Sequence, residues 1–148
     1  MGYHIDQLAS QFHIKSEAAH YAHAVIRILC APGKGTIRDS SGCYYSWVDS
    51  AAVIKASTFQ DVMDAWRYHL TKDARTGDFT SITFKGQKAG DEEVLFQAIA
   101  PYVTAGSYIE FRGEDNARWR WVFDGTTATY QCARLGPLAI TRRKDPHP

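Results

Sequence analysis

Three arginines and a glutamate fall at alternate positions late in the chain: Glu110 and Arg112 in "SYIEFRG", and Arg118 and Arg120 in "NARWRWVFDG". Alternation puts all four on one face of a sheet, where guanidinium forks suit carboxylates and Glu110 can pair with Arg120 across strands. The chemistry on offer is recognition: a cationic stripe crossed by one anion. The same stretch sets Trp119, Trp121 and Phe123 between the arginines. Rings and basic groups on one surface would make a stacking platform for single-stranded nucleic acid. In a strand they point to opposite faces, so the rings are expected in the core and the arginines outside.

Other reactive side chains are dispersed. His20 and His23 have the i, i+3 spacing of many metal-binding pairs. Cys30 lies seven residues beyond His23, about 10 Å along a helix. That is too far to join both histidines around one ion through Zn–S bonds of roughly 2.3 Å. Cys43 and Cys132 would have to be brought near by folding. The odd set of three thiols without CxxC spacing reads as free cysteines in a reducing compartment. The histidines read as surface or half-buried helix residues, so no metal is expected. Asp91, Glu92 and Glu93 suit a helix start, and Glu114 and Asp115 a turn. There is no GxSxG, HExxH, GxGxxG or phosphate-loop pattern. No motif implies a catalytic residue or a cofactor, and an enzyme would need a site assembled from scattered groups.

Apolar spacing predicts the elements that carry these residues. Ile5, Leu8, Ala9 and Phe12 have helical spacing, and Ser16 is placed to cap a second helix with Ala18, Tyr21, Ala22, Val25, Ile28 and Leu29 on one stripe. Together, residues 1–31 are expected to form a helical pair. Segment 5–24 resembles a helix-turn-helix, with His13 where the turn glycine usually stands and no Arg, Asn or Gln on the recognition helix. Cys43–Val48 is aromatic and β-branched, as in a short strand. Ser57, with Gln60 three residues on, reads as a capping box for a helix through Phe59, Val62, Met63, Trp66 and Leu70. "FTSITFKG" reads as a strand and "GDEEVLFQAIA" as a helix ended by Pro101. The remainder is a three-stranded meander. Asp124-Gly125 as a two-residue type I′ loop sets Phe123 opposite Thr126, and the "GEDN" turn sets Phe111 near Trp119 and Ile109 near Trp121.

With 148 residues, 45% apolar and 22% charged, the chain has the size and composition of one globular domain. Seventeen basic residues against sixteen acidic give a formal charge of +1, so no global field attracts phosphate. No apolar run is long enough for a bilayer and the first residues lack a secretory pattern, so a cytoplasmic location without membrane contact is expected. The fold expected is α/β (α+β): a two-layer domain over residues 1–141, with the helical pair and, in 43–135, a mainly antiparallel sheet covered by two helices. A flexible basic tail follows at 142–148.

The stretch "GDEEVLFQAIAPYVTAGSYIEFRGEDNARWRWVFDG", Gly90 to Gly125, resembles a module of small uncharacterised proteins of phages, plasmids and actinobacterial accessory genes. That family has no known activity attached and carries over no catalytic residue. The resemblance implies an accessory-gene origin and a lean towards proteins that bind and block a host system. The expectation is therefore a non-enzymatic protein-binding module of a mobile element, such as an anti-defence inhibitor of the anti-CRISPR kind. Its partner would be a host or bacterial protein, met through Glu110, Arg112, Arg118 and Arg120. The second reading is a DNA-binding regulator using the N-terminal helices, and the third a small enzyme with a dispersed site.

Overall fold

The computed structural model describes residues 2–133 and 140–142. Its elements in chain order are β1 (Ile5–Gln11), α1 (Ser16–Leu29), β2 (Ile37–Asp39), β3 (Gly42–Tyr44), α2 (Ser50–Lys55), α3 (Phe59–Ala65), β4 (Tyr68–Lys72), β5 (Phe79–Phe84), α4 (Glu92–Ile99), β6 (Tyr108–Gly113), β7 (Arg118–Phe123), β8 (Ala128–Ala133) and β9 (Ile140–Arg142). A single 3₁₀ turn, Ala100–Tyr102, carries Pro101 directly after α4. The protein is mixed α/β, with an antiparallel five-stranded sheet in the order β1-β6-β7-β8-β9 and two hairpins, β2-β3 and β4-β5. The expected tail lies, beyond Arg142, outside the described residues.

The meander supplies the sheet's centre. Ile109, Phe111, Trp119, Trp121, Phe123, Ala128 and Tyr130 are buried on its inner face. Phe111 pairs with Trp119 and Ile109 with Trp121, as the spacing implies. Phe96 of α4 inserts among them, edge-on to Trp121 and Phe123 at 5.7 and 5.8 Å between ring centres. The β7–β8 turn differs from the expectation by one residue. Phe123 faces Ala128, so Gly125 and Thr126 are the central pair, and only the glycine has positive φ. Asp124 makes this the better turn: its carboxylate accepts from the backbone N–H groups of Thr126 and Thr127. Moving the turn by one residue shifts the register by two, which leaves each side chain on its face.

The N-terminal helical pair is not formed. Ile5–Gln11 is a strand, antiparallel to β6, with a bulge between Gln7 and Ala9. A bulge reverses the alternation, so the inward positions run Ile5, Gln7, then Ser10, Phe12. The seven-residue interval from Ile5 to Phe12 equals two helical turns, while Leu8, needed by a helix, is exposed. A helix-turn-helix requires two helices, and only α1 is present in this segment, so the structural basis for base reading through it is missing. Within α1, Ser16 is the first helical residue, not the cap. Its N–H donates instead to Asp78.

Two further elements end earlier than periodicity implies. α3 is capped by Thr58, whose hydroxyl accepts from the Asp61 N–H, and it stops at Ala65. Arg67 (φ 73) then turns the chain, and Tyr68 and Leu70 are buried as alternate residues of β4. Gln60 closes no capping box: it donates to the Leu70 carbonyl across that reversal. The strand expected at Cys43–Val48 ends at Tyr44, and Trp47 adopts positive φ (65).

The outer edge of β1 is covered through a side chain. Gln7 donates to the Ile82 carbonyl and accepts from the Phe84 N–H, so its amide stands in for a missing strand pairing with β5. Ile14 and Phe79 exchange both backbone bonds beside it. This covers an edge that would otherwise be open to pairing.

Candidate functional site

The outer sheet face holds the four residues singled out above, in a tighter arrangement than a stripe. Glu110 faces Arg120 in register and accepts from its Nη2 at 2.9 Å. Its other oxygen accepts from Arg118 Nη2 at 2.7 Å. Burial pushes the Glu110 carboxyl up, but the hydrogen bonds from Arg120 and Arg118 outweigh it and hold the group below its ordinary range. The Arg120 guanidinium also lies 4.2 Å from the centre of the Tyr108 ring, a cation–π contact. The carboxylate is only 13% exposed, whereas Arg118 is 55% exposed. Arg112 stays apart from the clamp, opposite Arg118 on one side and Asp6 of β1 on the other, and is exposed. One anion thus immobilises two cations whose outward surfaces remain in water.

The inner face meets a cleft of about 300 Å3 at the start of α4. Phe111, Trp119 and Trp121 line it from the sheet, and Gly90, Asp91, Glu92 and Glu93 from the other side. Each acid has a different role. Glu92 is buried and accepts from Arg67 Nη2 at 2.7 Å and from the Gly90 N–H. Burial raises its pKa, with the Gly90 N–H and the Arg67 charge opposing the rise. Asp91 accepts from the Thr36 hydroxyl and the Ser46 N–H. Glu93 makes no side-chain hydrogen bond or ion pair among the described residues. Sequence reasoning placed the acids at a helix start and the tryptophans in the core, both correctly, without showing that they share a cavity. No local signal could have done so, since Glu93 and Trp119 meet only through the packing of α4 on the sheet.

A third polar group closes the junction of β1 and α1. His13 Nδ1 is 2.6 Å from Thr104 Oγ1, and its Nε2 is 2.9 Å from Asp78 Oδ2. The order hydroxyl, imidazole, carboxylate has the look of a nucleophile with its base. Yet the same residues also tie the backbone together, because the Thr104 N–H donates to the His13 carbonyl and Asp78 receives the first N–H of α1. The contacts act as a latch between distant segments. His20 and His23 line a separate depression with Thr58, Gln60 and Lys72, and His23 Nε2 is buried without a hydrogen bond. Among the described residues, no three His, Cys, Asp or Glu side chains are grouped to hold a metal ion. Cys30 is buried, and that burial raises its thiol pKa. Among those residues too, no helix is long and apolar enough to cross a membrane.

No family model matches the chain, and no curated protein or solved structure is significantly similar to it.

Proposed function

We propose that the chain is a non-enzymatic protein-binding module whose outer sheet face occupies the surface of a bacterial partner. The observation that carries this reading is the clamp of Glu110 on Arg118 and Arg120. Ordering long side chains on binding costs about 0.5–1.5 kcal/mol for each one immobilised. Here two arginines are already held, on a sheet whose other face anchors them to the core. Arginine is enriched at interfaces because its fork binds carboxylates and its stem covers apolar surface. Adjacent Arg112 and the Tyr108 ring extend the surface across β6. The finer reading, an anti-defence inhibitor from a mobile element acting in the cytoplasm on a host protein, rests on the resemblance of Gly90–Gly125 and on the small size of the chain. A two-layer organisation, with α4 backing the sheet through Phe96 against Trp121 and Phe123, supports the mechanism, since a sheet held from behind presents its front as a rigid plane.

Affinity capture from a host lysate tests the reading. The doubly reversed variant Arg118→Glu, Arg120→Glu should lose a partner that the wild type retains, while circular dichroism shows an unchanged fold. Charge reversal at Arg120 sets two carboxylates against each other at Glu110, so Arg118→Glu alone serves as the milder control. Full-yield capture of the same protein by both variants contradicts this assignment.

A further inference from the structure

We propose that the depression bounded by α1, the start of α3 and the β4–β5 hairpin binds a phosphate group. The inference goes beyond the outer sheet face and uses none of its residues. Ser16, His20 and His23 recur at steps of four and three, so α1 presents them on one side. Ser57 and Thr58, just before α3, line the same cavity, and Lys72 joins them from the end of β4. Phe59 and Phe79, buried and edge-on to each other at 5.3 Å, supply the apolar part of the lining. Gly77 (φ 76) lets the β4–β5 turn close against the helix, since a Cβ there would lie 3.3 Å from Ser16 Cβ. The polar groups are accessible: His20, Ser57, Thr58 and Lys72 are exposed and His23 is half-buried. A cavity of about 400 Å3 is the size of a small-ligand site.

Every one of these polar side chains can donate a hydrogen bond, and no carboxylate lines the cavity among the described residues. Glu17 and Asp61 neighbour lining residues in sequence but are exposed and outside the lining. Asp78 is already engaged by His13 and the Ser16 N–H. The donors are unspent. Among the described residues, the side chains of Ser16, His20, His23, Ser57 and Lys72 make no hydrogen bond or ion pair. The Thr58 hydroxyl only accepts, from the Asp61 N–H. Lys72 is steered rather than neutralised, with its Nζ over the Phe79 ring at 5.9 Å. His23 gives the sharpest sign. Its Nε2 is buried without a hydrogen bond, whereas buried polar groups in native proteins are nearly always paired. With neither ring nitrogen held, the imidazole is able to turn a nitrogen to the cavity. The donors are side chains from three segments, so the site does not rest on a helix end. A cation would meet Lys72 with no carboxylate to offset it. A carboxylate ligand has two oxygens for these converging donors, whereas a phosphate monoester brings three and nearly two negative charges.

The phosphate has two sources, a small phosphate ester or a phosphorylated side chain of a partner, and the test separates them. The full chain is titrated at neutral pH and constant ionic strength with glycerol phosphate, with N-acetyl-phosphoserine methylamide, and with acetate as the carboxylate control. The imidazole C–H signals of His20 and His23 are followed by NMR. Saturable shifts with the phosphates are expected, with acetate about tenfold weaker or more. Lys72→Gln should weaken phosphate binding about tenfold, with an unchanged thermal midpoint because the side chain is exposed. His23→Gln should weaken it too, and His20→Gln, at an exposed position, is the second imidazole variant if His23→Gln lowers the midpoint. Lys34→Gln removes an exposed lysine beyond the other end of α1 and should leave binding unchanged. Tighter binding of the phosphoserine amide assigns the group to a partner's side chain. Equal or tighter binding of glycerol phosphate assigns it to a free phosphate ester. Absence of a saturable shift with either phosphate overturns the proposal. So does acetate binding as tight as phosphate, unaltered binding by Lys72→Gln, or an equal loss in Lys34→Gln.

Discussion

Glu110 decides how the outer face behaves, because a single half-buried carboxylate organises two guanidinium groups. Exposed ion pairs contribute little, about 0.2–1 kcal/mol, and Arg118 taken alone is such a pair. The net depression of the Glu110 pKa nevertheless ties the clamp to pH. A carboxyl whose folded-state pKa lies below its unfolded value stabilises above the unfolded value, near 4.3 for glutamate, and loses that contribution as pH falls through the folded value. Urea midpoints of wild type and Glu110→Gln should therefore differ at neutral pH and approach each other as the pH is lowered below about 4. The other depressed carboxyls, among them Asp78 and Asp124, are common to both proteins and cancel in the comparison. A difference that stays constant across the acid range would show that the clamp is not ionic.

At the scale of elements, sequence periodicity was informative where alternation ran long and misleading where two periods coincided. β6 and β7 carry five or six alternating residues each, and their register and faces were legible. The β7–β8 register was not, because the choice between two turns depended on where the Asp124 carboxylate would reach. β1 read as a helix because its bulge spaces Ile5 and Phe12 by two helical turns. Leu70 continued the stripe of α3 and also fits the alternation of β4, so the reversal at Arg67 left no trace in the pattern. The pairing of β1 with β5 through an amide was equally invisible, since nothing near Gln7 points to Phe84. That bridge can be tested. Gln7→Ala leaves the Phe84 N–H without its partner and should cost about 1–3 kcal/mol in urea unfolding. Leu8→Ser should stay within about 0.5 kcal/mol, as for a surface position. The reverse order of effects would favour the helical reading of this segment.

Across the whole molecule, the two faces of the sheet play different roles. The inner face is committed to α4 and its aromatic neighbours except at the cleft, and the outer face carries ordered charge without an apolar cover among the described residues. Of the candidate site, the four outer residues and their shared face were legible because they lie on two adjacent strands. The cleft was not, because its walls come from segments joined only by tertiary packing. The neutral overall charge leaves recognition to such local groupings, with little long-range steering. The most direct test of the proposed division places a photoreactive amino acid at Arg112, exposed beside the clamp but outside it, and in a second protein at Ile28, exposed on α1. After irradiation in host cells, the account predicts a defined protein crosslink from position 112 and none from position 28. A crosslink from position 28 alone would contradict it and move the contact to the helices.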